Sequence, residues 1–285
     1  MARLSRKNAF GAAEALMTNA VTVSTHTFPS LLKTWRAKRR LSQLELALTS
    51  GVSQRHLSFL ELGRAQPSRG MVVQLSEALD VPLRERNGWL LAAGFAPIYR
   101  VRSLDDPQMA QVLHAVRMML TNHEPYPALA VDRAWNIRFA NAPFEQLTAM
   151  LGTDVWTAVD GTPRNLLRLF FHPNGIRPWV TNWNSVAPLL WHRAQREAEA
   201  VGGGELRSLL DELAPLQDAA TLRLADDAAL VPVMPFTLER NGLRVSFFTV
   251  ISTFGTAQDV TTDELRIESM FPADDATKAL FDPAR

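Results

Sequence analysis

The chain changes its pattern of apolar and polar positions about one third of the way along. From residue 28 to residue 93, apolar residues recur at helical spacing, and short amphipathic segments alternate with turn signals. Ser42 is placed to cap one helix, Gly51 supplies a turn, and Ser53 is placed to cap a second helix. Two short helices joined at a glycine predict a helix-turn-helix inside a small all-α domain.

The apolar positions of this helix pair predict an inward face. That face comprises Leu44, Ala47, Val52, Leu57 and Leu60. The start of the second helix then carries exposed polar side chains, which are Ser53, Gln54, Arg55, His56 and Ser58. Such side chains suit the major groove of DNA, because arginine pairs with guanine and glutamine with adenine through two hydrogen bonds each. Gln43, beside the free N–H groups at the start of the first helix, is placed for a backbone phosphate.

The rest of the chain mixes strand and helix signals, which predicts an α+β domain. Ala128–Asp132 and Trp135–Ala140 are short apolar runs rich in strand formers and are separated by a turn. Asn141 is placed to cap a helix directly after the second run. A helical region with two breaks follows from Asn165 to Leu213.

The last part of the chain carries the clearest strand signals. Asn241-Gly242 supplies the two positive φ angles of a type I′ turn, so we expect a hairpin. One further strand is predicted with one face buried, from the alternation of Leu265, Ile267 and Phe271 with Glu264, Arg266 and Glu268.

These signals divide the chain into five segments. They are a flexible leader at 1–27 with a weak helix around Ala12–Met17, a helix-turn-helix domain at 28–93, a linker at 94–106, an α+β domain at 107–275 and a tail at 276–285.

Charge is distributed unevenly, although the formal net charge is only +1. Residues 28–102 hold 12 basic and 5 acidic side chains, a net charge of +7, whereas residues 103–285 hold 15 and 23, a net charge of −8. A compact basic segment joined to an acidic remainder is typical of a polyanion-binding module fused to another unit. Charge alone leaves DNA, RNA and a membrane surface open as partners.

Composition excludes several classes of chemistry. The chain has no cysteine, so disulfides, thiolate zinc sites and cysteine nucleophiles are excluded, and a reducing cytoplasm is the expected location. No apolar run approaches the roughly 20 residues of a membrane span, and residues 1–27 lack the apolar core of a secretory signal. We therefore expect a cytoplasmic protein with no membrane partner, no metal and no cofactor.

The helix-turn-helix segment resembles the XRE family of lambda-repressor-like regulators over roughly residues 31–82. The matching residues are Leu41-Ser42-Gln43, Leu46-Ala47, Gly51-Val52-Ser53, Leu57-Ser58, Glu61, Gly63-Arg64 and Pro67-Ser68. The resemblance implies a five-helix domain that binds double-stranded DNA. It also implies candidate phosphate contacts at Lys33, Arg36, Lys38, Arg39, Arg40, Arg64 and Arg69.

The second part is similar to the MmyB-like ligand-binding domain that is often fused to such a helix-turn-helix. The matching stretches are residues 126–132, 135–137, 165–168 and 182–183, with Asn141 and Arg193. This resemblance implies a PAS-like fold around an apolar pocket, with fatty-acid-like ligands.

Aromatic residues are the candidate lining of such a pocket, with an ordinary core as the alternative interpretation. The candidates are Phe139, Phe144, Phe170, Phe171, Trp179, Trp183 and Trp191, together with Trp135. A ligand carboxylate would have Arg168, Arg177 or Arg193 as candidate partners.

Two classes of function remain open. The first is a transcription regulator that senses a small hydrophobic ligand. We expect it to act as a homodimer, since one recognition helix reads too few base pairs for genomic specificity. The second is a DNA-targeted protein-interaction module or enzyme without a ligand switch. An enzyme needs a cluster of titratable groups in its pocket, whereas the second part shows scattered carboxylates and apolar aromatics. This favours a sensor without catalytic residues.

Overall fold

The computed structural model describes residues 27–152, 155–159, 163–200, 204–218, 223 and 233–282. The predicted helix around Ala12–Met17 lies outside these residues, as does nearly all of the predicted leader. The chain divides into two compact units, the first ending at Ile98 and the second beginning at Tyr99.

The described part of the first unit is entirely helical. Its helices are α1 (Phe28–Lys38), α2 (Gln43–Ser50), α3 (Gln54–Glu61), α4 (Arg69–Ala78) and α5 (Leu83–Ala92). Ser42 and Ser53 accept hydrogen bonds from backbone N–H groups of the first turns of α2 and α3, as their positions predicted. Gly51 has a left-handed φ of 69°, which turns the chain between the two helices without the strain that a side chain would add. The predicted helix-turn-helix is confirmed.

The core of the first unit contains four of the five predicted inward residues of the helix pair. Ala47, Val52, Leu57 and Leu60 are buried, whereas the side chain of Leu44 is 52% exposed. The prediction for Leu44 was wrong because α2 turns Leu46, Ala47 and Ser50 toward the core. A residue two positions before Leu46 lies about 200° away around the helix and faces solvent.

The second unit combines a five-stranded sheet with helices. Its elements are a 3-10 turn (Pro107–Met109), α6 (Ala110–Asn122), β1 (Ala128–Val131), β2 (Ile137–Ala140), α7 (Ala142–Leu151), α8 (Val155–Ala158), α9 (Leu166–Phe171), a 3-10 turn (Arg177–Trp179), α10 (Trp183–Ala200), α11 (Glu205–Leu213), a 3-10 turn (Ala214–Leu216), β3 (Phe236–Arg240), β4 (Leu243–Thr253), α12 (Val260–Glu264), β5 (Arg266–Pro272) and α13 (Asp275–Phe281). The strands pair antiparallel in the order β2-β1-β5-β4-β3. The predicted α+β, PAS-like fold class is confirmed, including the hairpin at Asn241-Gly242, whose φ angles are 53° and 81°.

Apolar residues cover both faces of the sheet. On one face, Ala128, Ala130 and Ile267 pack with α6, through residues such as Val116. On the other face, residues of β1, β3, β4 and β5 pack with α7, α9, α10 and α11. The expectation that β5 would have one buried face was therefore wrong, since Glu268 on the charged side of its alternation is 4% exposed.

The segment expected as a tail at 276–285 contains most of α13. Asp274 caps this helix by accepting a hydrogen bond from the backbone N–H of Thr277. The Thr277 hydroxyl accepts a bond of 2.9 Å from the Ser246 N–H in β4, and the ring of Phe281 lies 5.5 Å from that of Phe247. The helix thus packs on the sheet because its buried face satisfies a backbone donor and extends the apolar core. Within the described ranges, none of the helices combines the length and hydropathy that a bilayer crossing requires.

Candidate DNA interface and ligand cavity

The start of α3 presents the polar side chains that the sequence singled out for DNA. Gln54 and Arg55 are exposed, and Ser53 is both exposed and the cap of the helix. His56 is half-buried, with Nε2 lying 3.2 Å from the sulfur of Met71 in α4. Gln54 and Arg55 are therefore the side chains most available to an approaching duplex, while His56 is held against the next helix.

Arg55 has a definite orientation on the helix surface. Its guanidinium carbon lies 5.6 Å from the centroid of the Phe59 ring, four residues further along α3. Such a contact is worth about 0.5–1 kcal/mol at an exposed site and restricts the arginine rotamers. A restrained guanidinium loses less entropy when it pairs with a base edge. Ser58 is half-buried on the same helix.

A largely buried ion pair joins α1 to the end of α3. Arg36 Nε and Nη2 donate to the two carboxylate oxygens of Glu61 at 2.6 and 2.9 Å. Gln43 Nε2 at the start of α2 donates to the same carboxylate at 2.7 Å. Burial alone would raise the pKa of Glu61, but the hydrogen bonds from Arg36 and Gln43 outweigh it and hold that pKa below its usual value. Three helices are thus connected through one ionised carboxylate.

This arrangement changes the roles expected for Arg36 and Gln43. Arg36 was implied as a phosphate contact, yet its side chain is only 16% exposed, its Nε and Nη2 bind Glu61, and its Nη1 donates to the Leu41 carbonyl at 2.8 Å. Gln43 keeps the predicted position, and one N–H of its two-donor amide remains beyond the bond to Glu61. Glu61 therefore orients the Gln43 amide at the start of α2.

The other candidate phosphate contacts lie at the surface of the first unit. Those exposed are Lys33, Lys38, Arg39, Arg40, Arg64 and Arg69. Arg39 is also used within the unit, because its Nε donates to the Leu79 carbonyl at 2.8 Å and its Nη2 to the Asp80 carbonyl. Arg39 is therefore less free than Arg64 to move to a phosphate.

The second unit contains a partly open cavity of about 230 Å³ between the sheet and the helices α7, α9 and α10. For scale, an apolar cavity of about 150 Å³ already accommodates a benzene-sized guest. The apolar lining comprises Trp135, Phe144, Leu147, Leu151, Leu166, Leu169, Phe170, Ile176, Val186, Leu189, Leu190, Met234, Phe236, Leu238 and Met270. The polar lining consists of Thr148, Arg193, Thr249 and Glu268. An apolar molecule of moderate size with one polar end is complementary to this space.

Two of the seven aromatic residues predicted for the pocket, Phe144 and Phe170, line the cavity. Phe139 packs on the opposite face of the sheet, against the cluster under α6, because alternate residues of a strand point to opposite faces. Phe171 follows Phe170 in α9 and therefore points about 100° away around the helix. It lies in ring contact with Trp183 and Trp191, at 5.7 and 5.2 Å, behind the cavity wall.

Trp179 is also placed outside the lining. The Arg240 guanidinium lies 3.7 Å over its ring. Trp135, which was named together with these seven candidates, does line the cavity. Its φ of 67° follows a turn in which Asp132 accepts hydrogen bonds from two backbone N–H groups, and the turn directs the indole inward.

Four charged side chains form a polar cluster at the cavity, and we call it the Arg193–Glu268 cluster. It consists of Arg193 and Glu197 on α10 and Arg266 and Glu268 on β5. Glu197 accepts from Arg193 Nε at 2.9 Å, from Arg266 Nη1 at 2.6 Å and from the Trp135 indole at 2.9 Å. Both guanidinium groups lie over the Trp135 ring, at 4.6 and 5.3 Å.

Of the three arginines considered for a ligand carboxylate, Arg193 lines the cavity. Arg168 instead pairs with Glu212, and Arg177 donates to the Leu216 carbonyl at 2.8 Å. The other members of the Arg193–Glu268 cluster were not predicted from the sequence. The signal that could have indicated them was Glu268 itself, a carboxylate in the middle of a predicted strand. Among the described residues, no group of three or more histidine, aspartate or glutamate side chains is arranged to hold a metal ion.

Comparison with known proteins gives two family matches. Residues 32–86 match a helix-turn-helix family, and residues 112–282 match the MmyB-like transcription regulator ligand binding domain. No curated protein sequence matches the chain.

One solved structure is similar over 99% of this chain and 68% of its own, at 14% identity and a TM-score of 0.27. It is described as an RNA-binding light-oxygen-voltage receptor. The ligand-binding-domain match covers more than half of the chain and follows a helix-turn-helix match. The protein therefore belongs to the MmyB-like transcription regulators, as a DNA-binding regulator with a ligand-binding domain.

Proposed function

We propose that the protein is a cytoplasmic, homodimeric regulator that reads a specific DNA sequence and changes its DNA affinity when a small hydrophobic molecule occupies the cavity. One observation carries the proposal. A single chain combines an exposed recognition-helix start on a basic unit with an apolar cavity in a second unit. The absence of cysteine fits the reducing cytoplasm.

In the DNA-binding step, Gln54 and Arg55 read base edges, and Gln43, Arg40 and Arg64 contact phosphates. Gln54 and Arg55 are exposed in the first turn of α3. The N-terminal residues of a recognition helix are the ones that contact base edges in the major groove. The second N–H of Gln43 and the exposed guanidinium groups are donors suited to phosphate oxygens.

The test of this step compares Arg55→Ala with Arg64→Ala. A binding site is first obtained by selection from random duplexes, and affinity is then measured on that site and on random DNA over a series of salt concentrations. Arg55→Ala is expected to cost about 1–3 kcal/mol on the selected site and less on random DNA. The matched control Arg64→Ala should weaken binding to both duplexes equally. It should also reduce by about 1 the slope of the logarithm of the binding constant against the logarithm of the salt concentration. Equal losses from Arg55→Ala on both duplexes would contradict its role in reading bases.

The proposed homodimer follows from the geometry of sequence reading. One helix contacts too few base pairs for genomic specificity, and a symmetric pair places two recognition helices about 34 Å apart on one face of the DNA. Analytical ultracentrifugation of the protein, free and on a palindromic site, measures the assembly directly. A monomer in both conditions would contradict the proposal.

The ligand step requires different affinities of the ligand for the DNA-competent and DNA-incompetent states, because equal affinities shift nothing. Typical couplings are about 1–3 kcal/mol, which corresponds to about a 5- to 150-fold change in DNA affinity. The test titrates acyl compounds of increasing chain length and follows tryptophan fluorescence and DNA binding together. A fluorescence change without a change in DNA affinity would leave a binding module without a switch.

A control variant ties any response to the cavity. Val186→Phe adds volume in the lining of the cavity and should abolish the response, whereas Val250→Phe changes a valine that is 46% exposed and should preserve it.

A further inference from the structure

Glu268 is a carboxyl group on the cavity wall whose oxygen Oε1 has no hydrogen-bond partner. Its side chain is 5% exposed, and Oε1 is buried without a hydrogen-bond partner. The nearest cationic atom, Arg193 Nη2, lies 3.6 Å from Oε1, which is too long for a direct hydrogen bond. Leaving such a group unpaired costs about 1–3 kcal/mol, so an occupant of the cavity that pairs with it gains that free energy.

The charges around Glu268 balance when Glu268 is ionised. The Arg193–Glu268 cluster contains two arginines and two glutamates. Arg193 already binds Glu197, and Arg266 binds Glu197 and the carbonyls of Asp132 and Arg133. The buried Nε of Arg266 has no hydrogen-bond partner, but Arg266 is not part of the cavity lining. When Glu268 is ionised, an anionic head group would therefore face a carboxylate and two guanidinium groups that already bind Glu197.

The other polar side chains of the lining do not offer a stronger anchor. The Thr148 hydroxyl donates to the Glu145 carbonyl at 2.9 Å, and Thr249 is exposed to solvent.

Burial raises the pKa of Glu268, and the nearby arginines only partly oppose this, so the carboxyl group resists ionisation. What the cavity wall lacks is a hydrogen-bond partner for Oε1.

We propose that the ligand carries an uncharged hydroxyl head that donates to Glu268 while an apolar body fills the cavity. This inference rests on the proposed function, in which a small hydrophobic molecule occupies this space. A hydroxyl group both donates and accepts, so it pairs with the carboxyl group in either protonation state. A carboxylate ligand would pair with Glu268 only when Glu268 carries a proton.

The experiment measures binding of 1-octanol, octanoate and heptane to the full chain at pH 8, by tryptophan fluorescence and calorimetry. Octanoate is ionised at this pH. We expect 1-octanol to bind about tenfold more tightly than octanoate, as one additional hydrogen bond and an avoided buried anion predict. Octanoate binding as tightly as 1-octanol would overturn the hydroxyl proposal and leave the ligand-binding function standing.

Two variants separate the head group from the cavity. Glu268→Leu removes the acceptor and should weaken the binding of 1-octanol about tenfold, while the binding of heptane should change less than twofold. Glu268→Gln keeps an acceptor oxygen and should retain 1-octanol binding within about threefold, so its loss in the folded variant would overturn the proposal. If the Leu variant does not fold, the ranking of probes in the wild type decides. Failure of all three probes to bind would overturn the proposed ligand function itself.

Discussion

Replacing Arg36 with methionine should destabilise the first unit more than any exposed arginine replacement there. In the native structure, Arg36 binds both oxygens of Glu61, and the side chain of Glu61 is only 4% exposed. Methionine keeps much of the aliphatic volume of arginine and removes its charge. Arg36→Met therefore leaves a buried carboxylate with Gln43 as its remaining side-chain donor.

The expected cost follows from the burial of the pair. Breaking a buried ion pair by removing one partner typically costs about 3–5 kcal/mol, because the remaining charge is desolvated and uncompensated. Since Arg36 retains 16% exposure and Gln43 still donates to Glu61, we expect the lower end of this range. A loss of about 3 kcal/mol raises the population of the open form about 100-fold.

Amide hydrogen exchange on the full chain provides the assay, because it reports the opening free energy of each unit separately. Peptides from α1 to α4 should exchange about 100-fold faster in Arg36→Met, and those from β1 to β5 should be unchanged. The matched control Arg69→Met, which replaces an exposed arginine, should change opening by less than about 0.5 kcal/mol.

The double variant tests the assigned cause. Adding Glu61→Met to Arg36→Met removes the stranded carboxylate, and replacement of a whole buried pair by apolar side chains is often close to neutral. We therefore expect the double variant to recover most of the lost protection. Equal destabilisation of the single and double variants would show that lost packing, rather than the unpaired charge of Glu61, causes the effect.

Three other predictions concern both units. The pKa of Glu61 lies below its usual value of 4.5, so the stability from its ion pair is fully present above pH 4.5 and should be lost as the pH falls through the lowered pKa. Acid unfolding of the first unit measures this loss. Thr277→Val should cost about 1–3 kcal/mol in denaturant unfolding, because the buried Ser246 N–H loses its acceptor, and an unchanged stability would mean that this hydrogen bond contributes nothing. Gly175→Ala should cost about 1–3 kcal/mol or more, since a Cβ there would lie 2.1 Å from the Leu169 carbonyl oxygen, and full stability by the same measurement would contradict this close approach.

Local chemistry in the sequence was sufficient to predict most of the secondary structure. Ser42, Ser53 and Asn141 were identified as caps because a side-chain oxygen bonds to an N–H within its own turn. Gly51 and the Asn241-Gly242 pair were identified as turns because their φ angles are left-handed, which few residues adopt. These interactions join neighbours in the chain, so the sequence alone contains both partners.

Contacts between distant segments decided what the sequence could not. Arg36 was expected to bind phosphate, and its true partner, Glu61, lies 25 residues away. Glu268 was expected on an exposed face, but β5 is a central strand of the sheet, with helices packed on both sides. Phe139 was assigned to the pocket by residue type, whereas strand pairing turned it to the other face.

The physical reason is the range of the interactions. Capping, turn formation and helical periodicity depend on residues within about four positions, and a single sequence displays them directly. Burial of a charge and the lining of a cavity depend on which elements pack together, and the pairing of β1 with β5 joins residues more than 130 positions apart. The sequence thus determined the elements, the helix-turn-helix and the family resemblance. Only the tertiary structure decided that Glu61 is an internal anchor and that Glu268 faces the cavity.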